Sequence, residues 1–427
     1  MTFWMARQYR SVRYILILVS IVVLVPVNRL SADSCMKCHQ EIEGAPDSPT
    51  KLIVSDIHYR NAISCADCHG GDPTVGYEEG DPSLAMDPEK GYIGVPSYNE
   101  IPKFCSRCHS DVEYMRERRP KLRIDQHQLY LTSVHGKRLK EGDKRVAQCV
   151  SCHGAHGILS SNDVRSSTYV ENIPGTCANC HANEDYMARY GIPTDQYDEY
   201  SRSVHGRLLF EKHEKSAPTC NSCHGNHGAA PLGLASIAAA CGQCHGINQA
   251  LFDKSPHFEP WKELGIPECI RCHNHHLVLT PTDNQVGVGE NSFCIECHSR
   301  GDNGYEAAAE MSSAIDSLKM LIDEADSIIR RIEMSGVDIE TARYNLTEAT
   351  DRLIEARNKI HSFNSRTVRD ITKNGISKAR HVIQSAEEAG EDMETKQKGL
   401  LFTSILIIIL AGLLFLKIRQ IEGRVNK

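Results

Sequence analysis

The stretch CVSCHGAHG (residues 149–157) holds two cysteines separated by two residues, with a histidine directly after the second cysteine. This C-x-x-C-H spacing occurs nine times in the 427-residue chain and uses all 18 of its cysteines. A zinc ribbon pairs two C-x-x-C sequences, and disulfides join two cysteines, but neither needs a histidine at the next position. The chain has only 21 histidines, so nine such placements do not arise by chance.

C-x-x-C-H is the attachment sequence of c-type haem. The two thiols bond to the vinyl groups of one porphyrin, and the histidine lies beneath the ring and donates a nitrogen to the iron. We therefore predict nine covalently attached haem c groups. The predicted attachment residues are Cys35, Cys38, Cys65, Cys68, Cys105, Cys108, Cys149, Cys152, Cys177, Cys180, Cys220, Cys223, Cys241, Cys244, Cys269, Cys272, Cys294 and Cys297. The predicted proximal iron ligands are His39, His69, His109, His153, His181, His224, His245, His273 and His298.

Composition excludes several other classes of protein. The 48 basic and 55 acidic residues give a net charge of −7, so no basic excess points to a nucleic-acid partner. The 30 glycines and 17 prolines show no period, which excludes collagen-like chains. The cysteine motifs are therefore the main source of functional information.

The segments around the motifs repeat along the chain. CSRCHSDVEYM (residues 105–115) resembles CANCHANEDYM (residues 177–187), and CVSCHGAHG resembles CNSCHGNHG (residues 220–228). One repeat unit reads S-x-H, then a first motif C-x-x-C-H-x-x-H, then a second motif C-x-x-C-H. Four units fit, and the motif at Cys35 stands alone ahead of them. The first motifs begin at Cys65, Cys149, Cys220 and Cys269, and the second motifs at Cys105, Cys177, Cys241 and Cys294.

Histidines at matched repeat positions are candidates for the second axial ligand of each iron. They supply seven ligands for nine irons, and His361 in KIHSF (residues 359–363) is an eighth candidate. The repeat-derived candidates are His58, His135, His156, His205, His227, His257 and His275. Other candidates for the remainder are His276, His127 and His213, or a methionine ligand, although Met115 and Met187 are better explained by packing. If these fall short, one iron has an open face.

Two apolar segments frame the haem motifs. Residues 1–32 resemble an export signal peptide, because three arginines precede an apolar run at residues 14–27. An uncleaved anchor at this end is the alternative. Near the other end, residues 399–417 are predicted to form a transmembrane helix, and the basic tail at residues 418–427 is predicted to stay in the cytoplasm.

The predicted fold is mainly α with much loop. Residues 33–302 are predicted to form a nonahaem cytochrome c domain whose core is the haems, wrapped by short helices and loops. Residues 303–398, called the stalk below, contain no cysteine and no proline and carry apolar residues at heptad spacing. We predict an antiparallel three-helix bundle there, with turns at Ser335-Gly336 and Asn364-Ser365 and an N-cap at Asp338. The stalk is either a spacer or a dimerisation element.

The nine motifs, the SVHG and CHGxHG elements and the helical C-terminal part resemble the bacterial multihaem c-type cytochromes, especially the group with doubled C-x-x-C-H motifs. The layout also resembles hydroxylamine oxidoreductase and pentahaem nitrite reductase. The resemblance implies electron transfer, in anaerobic respiration, between a quinone-linked membrane complex such as a b-type cytochrome and periplasmic or extracellular acceptors. It implies an inner-membrane protein with its haem domain on the periplasmic face.

The alternative is a multihaem oxidoreductase that acts on a small nitrogen or sulfur compound at one open haem. Such enzymes in the nitrite reductase group often carry C-x-x-C-K, which is absent from this sequence. In the hydroxylamine oxidase group a tyrosine cross-link marks the site, and nothing distinguishes Tyr114, Tyr186 or Tyr200 for that role. The sequence therefore favours an electron carrier without its own substrate chemistry.

Overall fold

A computed structural model describes residues 34–42, 48–76, 81–334 and 339–425. The described residues form helices, turns and loops and include no strand, which confirms the prediction of a mainly α protein. The predicted signal peptide at residues 1–32, the Ser335-Gly336 turn and the Asp338 cap lie outside the described residues.

The chain divides into two compact units, and the first consists of residues 1–201 and 205–231. Its helices are short and are connected by loops. They are α1 (Ser34–Ile42), α2 (Pro49–Leu52), α3 (Ile57–Arg60), α4 (Cys65–His69), α5 (Pro82–Ala85), α6 (Ile101–His109), α7 (Val112–Arg118), α8 (Gln126–Thr132), α9 (Val134–Lys140), α10 (Cys149–His153), α11 (Ile173–His181), α12 (Glu184–Met187), α13 (Gln196–Arg202), α14 (Val204–Lys212) and α15 (Cys220–His224). Short 3-10 helices lie at Ile53–Ser55, Pro88–Lys90 and Ala188–Tyr190.

The second compact unit consists of residues 202–204 and 232–427. It combines short haem-motif helices with three long helices. The helices are α16 (Leu234–Gly242), α17 (Gly246–Phe252), α18 (Phe258–Leu264), α19 (Glu268–His273), α20 (Asn303–Glu333), α21 (Glu340–Lys359) and α22 (Ser365–Val425). Short 3-10 helices lie at Asp283–Gln285, Cys294–Glu296 and Ile360–Ser362.

The first-motif helices end immediately after their histidine, because the next residue has a left-handed backbone. Gly70, Gly154 and Gly225 have φ values of 72°, 78° and 78°, and Asn274 takes the same role at 63°. Glycine adopts this region at little cost because it has no Cβ. Asn274 has a ψ of −172°, a combination that is strained for a residue with a side chain. The chain therefore leaves each motif abruptly and enters a loop.

The three long helices pack on one another through two apolar clusters. The first half of α20 contacts the end of α21 and the start of α22, as in the cluster of Leu318, Leu353 and Val368. The second half of α20 contacts the start of α21 and a later part of α22, where Ile329 and Val382 pack. These residues belong to the predicted heptad seams. The predicted turn at Asn364-Ser365 also agrees with the structure, since α22 begins at Ser365.

The second compact unit groups the motifs that begin at Cys241, Cys269 and Cys294 with the stalk helices. One physical reason is the Arg357 guanidinium on α21, which donates two hydrogen bonds of 2.8 and 2.7 Å to the carboxylate of Asp283. A bidentate pair of this kind fixes the loop against the stalk.

Helix α22 continues without interruption through residues 399–417. The apolar side chains of that segment are exposed, and Leu400, Ile408 and Leu416 are 69%, 70% and 64% accessible. Its most apolar window has a mean hydropathy of 2.8, so α22 is long and apolar enough to cross a membrane.

Candidate functional site

The C-x-x-C-H motifs fold so that both thiols face the same way. In α4, Cys65 and Cys68 stand three positions apart and therefore share one side of the helix, with His69 as its last residue. The Ser64 side chain and Asp67 form a capping box that fixes the start of this helix. All 18 cysteines lie in the described part of the chain, and no disulfide joins any of them.

Cysteine side chains of neighbouring repeat units lie next to each other. In three places the first cysteine of a second motif shares a hydrogen bond with the first cysteine of the following first motif. The bond raises the pKa of Cys105 and lowers that of Cys149. It lowers the pKa of Cys241 to about 7. The pairs are Cys105–Cys149, Cys177–Cys220 and Cys241–Cys269.

The two motifs within one unit are also neighbours. Burial raises the pKa of Cys68, and a negative charge on Cys108 raises it further. The same combination of burial and a charged neighbour raises the pKa of Cys272 to about 11. The neighbouring pairs are Cys68–Cys108, Cys152–Cys180 and Cys272–Cys294. The attachment sites thus form continuous lines of neighbours in each compact unit, from the motif of Cys65 to that of Cys220 and from that of Cys241 to that of Cys294.

Six predicted proximal histidines each face one predicted distal histidine in the described residues. The ring centroids of the six pairs are between 5.9 and 6.2 Å apart. This separation is longer than direct ring stacking. The first-motif pairs are His69–His156, His153–His227 and His273–His361. The second-motif pairs are His109–His58, His181–His135 and His298–His257.

These separations fit two imidazoles that bind one iron from opposite sides. A coordinated imidazole nitrogen lies about 2 Å from a metal, and the ring centre lies about 1 Å further out, so the two centroids are expected roughly 6 Å apart. The cysteines that flank each proximal histidine supply the two thiols that haem c requires. The residues present therefore fit the group that the motifs imply.

For seven of these histidines the environment lowers the pKa and so favours the neutral form that metal ligation requires. Burial is the main cause of the lowered pKa of His135, and a positive charge on His181 lowers it further. The histidines whose pKa is lowered mainly by burial are His109, His135, His153, His181, His227, His257 and His273.

Hydrogen bonds at Nδ1 orient several of the rings. The Nδ1 atom of His69 lies 2.8 Å from the carbonyl oxygen of Gly94, and that of His361 lies 2.9 Å from the carbonyl oxygen of Asn358. The Nδ1 atom of His58 lies 2.9 Å from Oδ1 of Asp56. A partner at Nδ1 fixes the tautomer and leaves Nε2 available as a ligand atom.

The other predicted ligands occupy varied positions. His224 ends α15, and its Nδ1 lies 3.1 Å from the carbonyl oxygen of Ala230. His275 follows the left-handed Asn274, whose Oδ1 lies 2.7 Å from the histidine Nδ1. His39 lies on α1, His205 lies on α14, and His245 directly precedes α17.

The less favoured candidates have other surroundings. His213 lies 3.1 Å from the carboxylate of Glu171 on the surface. His381 lies on the exposed face of α22, 3.3 Å from Ser385 Oγ. Met115 and Met187 are buried, as expected for packing residues.

Two features of the site were missed at the level of sequence. The first is an Asp or Ser that lies two positions before a distal histidine and accepts a backbone N–H group at the start of the following helix. It occurs three times, as Asp56 before His58, Ser133 before His135 and Ser255 before His257. We call this residue the anchor. The S-x-H spacing contained this signal. The second feature is Phe363, whose ring centroid lies 4.1 Å from that of His257. Phe363 and His257 are 106 positions apart, so no local pattern predicts this contact.

Paired cysteines and facing histidines are the residues that covalent attachment and axial ligation of haem c require. A family model described as Cytochrome c3 matches residues 212–299, which include four of the nine motifs. The match and the many cysteines support a multihaem c-type cytochrome with covalently bound haem c, and the domain indicates electron transfer. No curated protein and no solved structure matches the chain.

Proposed function

We propose that this chain is a membrane-anchored nonahaem c-type cytochrome that conducts electrons through a line of haems with two histidine ligands each. The six facing histidine pairs carry this proposal. A bound haem c supplies a one-electron Fe(III)/Fe(II) couple. The protein's own contribution is to hold each ring by two thiols, to clamp its iron between two imidazoles and to exclude water from both faces.

The ligand assignment follows the observed pairs. Three of the four second-motif histidines, His109, His181 and His298, would each share an iron with the S-x-H or D-x-H histidine of their own unit. In the first two units, each first-motif histidine shares an iron with a CHGxHG histidine of the following unit. His361 completes the iron of His273. For the remaining haems, the repeat pattern supports His205 as a further ligand. The C-x-x-C-H-x-x-H spacing of the fourth unit falls on His276 rather than on the predicted His275, so we propose His276 as well.

Conduction is supported by the adjacency of the attachment sites. From the motif of Cys65 to that of Cys220, and from that of Cys241 to that of Cys294, consecutive motifs have neighbouring cysteines, so the porphyrins in each series are expected to be neighbours. Iron that keeps both ligands in both oxidation states needs little rearrangement on electron transfer. Ligands that are pre-oriented by Nδ1 hydrogen bonds therefore favour transfer over substrate chemistry.

The membrane assignment rests on the exposed apolar segment of α22. We propose that residues 399–417 cross the cytoplasmic membrane, with the haem motifs on the periplasmic side and residues 418–427 in the cytoplasm. The stalk is then an antiparallel three-helix bundle between haems and membrane, in a layout like that of hydroxylamine oxidoreductase. The segment has no histidine to hold a b-type haem, so we propose a quinone-linked membrane complex as one partner and a periplasmic or extracellular acceptor as the other.

The test is a low-temperature EPR spectrum of the oxidised full-length protein, with haem quantified alongside. We expect about nine haems per chain, all low spin. Eight distal histidines are assigned, so the ninth iron would take its second ligand from one of the other candidates, such as His127 or His213. A zinc-containing or haem-free protein would refute the proposal. A high-spin haem would instead support the alternative of a multihaem oxidoreductase, and nitrite, hydroxylamine and sulfite would be the substrates to try.

A further inference from the structure

The six histidine pairs fall into two sets when the angle between their ring planes is compared. In chain order, the pairs that contain a first-motif histidine have angles of 25°, 9° and 24°. The pairs that contain a second-motif histidine have angles of 83°, 57° and 77°. The two sets do not overlap, and they alternate along the line of neighbouring motifs.

The backbone around the proximal histidine differs between the two sets. After a first-motif histidine the chain turns into the left-handed region, as at Gly70 and Gly154. After a second-motif histidine the backbone stays right-handed, with φ and ψ of −107° and 0° at Ser110 and −96° and 4° at Ala182. The third second-motif histidine, His298, lies 3.1 Å from Asp302 Oδ1. In five of the six pairs, all except that of His298, the ring angle therefore varies together with the backbone after the proximal histidine.

The distal histidines differ in the same way. In the crossed set they stand at the start of a short helix, two positions after an Asp or Ser anchor. Oδ1 of Asp56 accepts the backbone N–H of His58 at 2.7 Å and lies 2.9 Å from its Nδ1, so one carboxylate oxygen fixes both the backbone and the ring. In the parallel set, His156 and His227 come from CHGxHG loops, and His361 comes from a 3-10 turn.

We propose that the chain alternates two electronic classes of haem, with near-parallel imidazoles at the first motifs and crossed imidazoles at the second motifs. This inference rests on the proposed ligation. The π orbital of each imidazole interacts with one of the two iron d orbitals that stand perpendicular to the porphyrin. Parallel rings act on the same orbital and separate the pair in energy, whereas crossed rings act on both and keep them nearly equal.

The ring angle changes the relative stability of the two oxidation states. Low-spin Fe(III) has three electrons in this orbital pair and is stabilised when the orbitals separate. Fe(II) has four electrons in the pair and gains nothing. Parallel ligands therefore favour the oxidised state, so an added electron settles preferentially on the crossed haems. We therefore expect the haems at the second motifs to have higher reduction potentials than the haems at the first motifs that lie between them.

The experiment is an EPR-monitored redox titration of the full-length, haem-loaded protein. We expect two kinds of low-spin ferric signal, a rhombic one and a strongly anisotropic one at low field, each integrating to at least three haems. On reduction the anisotropic signal should disappear first. A single kind of low-spin signal, or earlier loss of the rhombic one, would overturn the inference and leave the ligation intact. Fewer than six low-spin haems would instead overturn the ligation.

A variant tests the structural cause. Asp56→Ala removes the anchor of the His58 ring, so the anisotropic signal should lose the intensity of one haem while the number of low-spin haems stays constant. Asp81→Ala is the matched control, because Asp81 is also an N-cap, accepting the N–H of Ser83, but contacts no histidine. An unchanged spectrum in Asp56→Ala with full haem content would overturn the role of the anchor. The titration of the unmodified protein decides the alternation whatever the yield of the variant.

Discussion

The ring of His361 lies 6.0 Å from that of His273, and the two planes differ by 24°. In the first two repeat units, the partner of a first-motif histidine comes from the next unit, as His156 does for His69. After the fourth unit there is no further unit, and the turn between α21 and α22 supplies the partner ring. The stalk thus ends the repeat array in the manner of the capping elements of repeat proteins.

His361→Ala should convert one haem from low spin to high spin. The substitution removes the side chain whose ring pairs with that of His273, and water or an added anion would then have access to the iron. EPR of the oxidised protein should show one high-spin haem per chain, with total haem content unchanged because both thiols at Cys269 and Cys272 remain.

His381→Ala is the control for this prediction. His381 lies on the same long helix that follows the turn, is exposed, and contacts Ser385 rather than another histidine. Its substitution should leave all signals unchanged. If His361→Ala also kept every haem low spin, another residue would hold that iron and the assignment of His361 would be wrong.

Gly136→Ala should destabilise the protein and disturb the haem of Cys177. A Cβ atom at Gly136 would lie 2.0 Å from the carbonyl oxygen of Tyr130. Since that oxygen belongs to the backbone of α8, α8 and α9 would have to separate, and α9 carries the distal candidate His135. Overpacking of this kind costs about 1–3 kcal/mol.

The measurement is the midpoint of chemical denaturation of the haem-loaded protein, together with its EPR spectrum. Gly399→Ala is a suitable control, because a Cβ atom there meets nothing within 4 Å. Equal midpoints for the two variants would show that the close approach of α8 and α9 is not needed. The glycine of the SVHG element would then need another explanation.

The sequence predicts most where chemistry fixes the spacing of the residues. The helical class, the heptad seams of the stalk and the Asn364-Ser365 turn agree with the structure because periodicity and capping are local properties. The pairing of histidines could not be predicted from the sequence, since His273 and His361 are 88 positions apart and belong to different predicted domains. The angle between two rings depends on both backbones at once, and a one-dimensional pattern contains no such information.

Leu318→Ala and Gly375→Ala should compensate for each other in the stalk. Leu318 is fully buried, and its removal alone is expected to cost about 2–5 kcal/mol. A Cβ atom at Gly375 would lie 2.7 Å from Cδ2 of Leu318, so Gly375→Ala alone overpacks the same place. In the double variant the new methyl group enters the space left by the leucine.

A double-mutant cycle on the denaturation midpoint of the full chain measures this relation. We expect a coupling of about 0.5–3 kcal/mol in the direction of compensation. Strictly additive effects would mean that α20 and α22 do not meet at this point. A matched pair that should be additive is Leu318→Ala with Gly399→Ala, since residue 399 contacts nothing near Leu318.

Ile407→Arg combined with Ile408→Arg should release the protein from membranes. Both side chains are exposed on the apolar part of α22, at 61% and 70% accessibility. Each arginine near the centre of a spanning helix costs about 2.5–3.5 kcal/mol of insertion free energy. The same two positions changed to leucine preserve the apolar character and form the control. The readout is the share of haem protein that stays with the membrane fraction after a high-salt wash. If the double arginine variant remained fully membrane-bound with its haems, residues 399–417 would not be the anchor, and the attachment would have to come from the N-terminal apolar segment or from a partner.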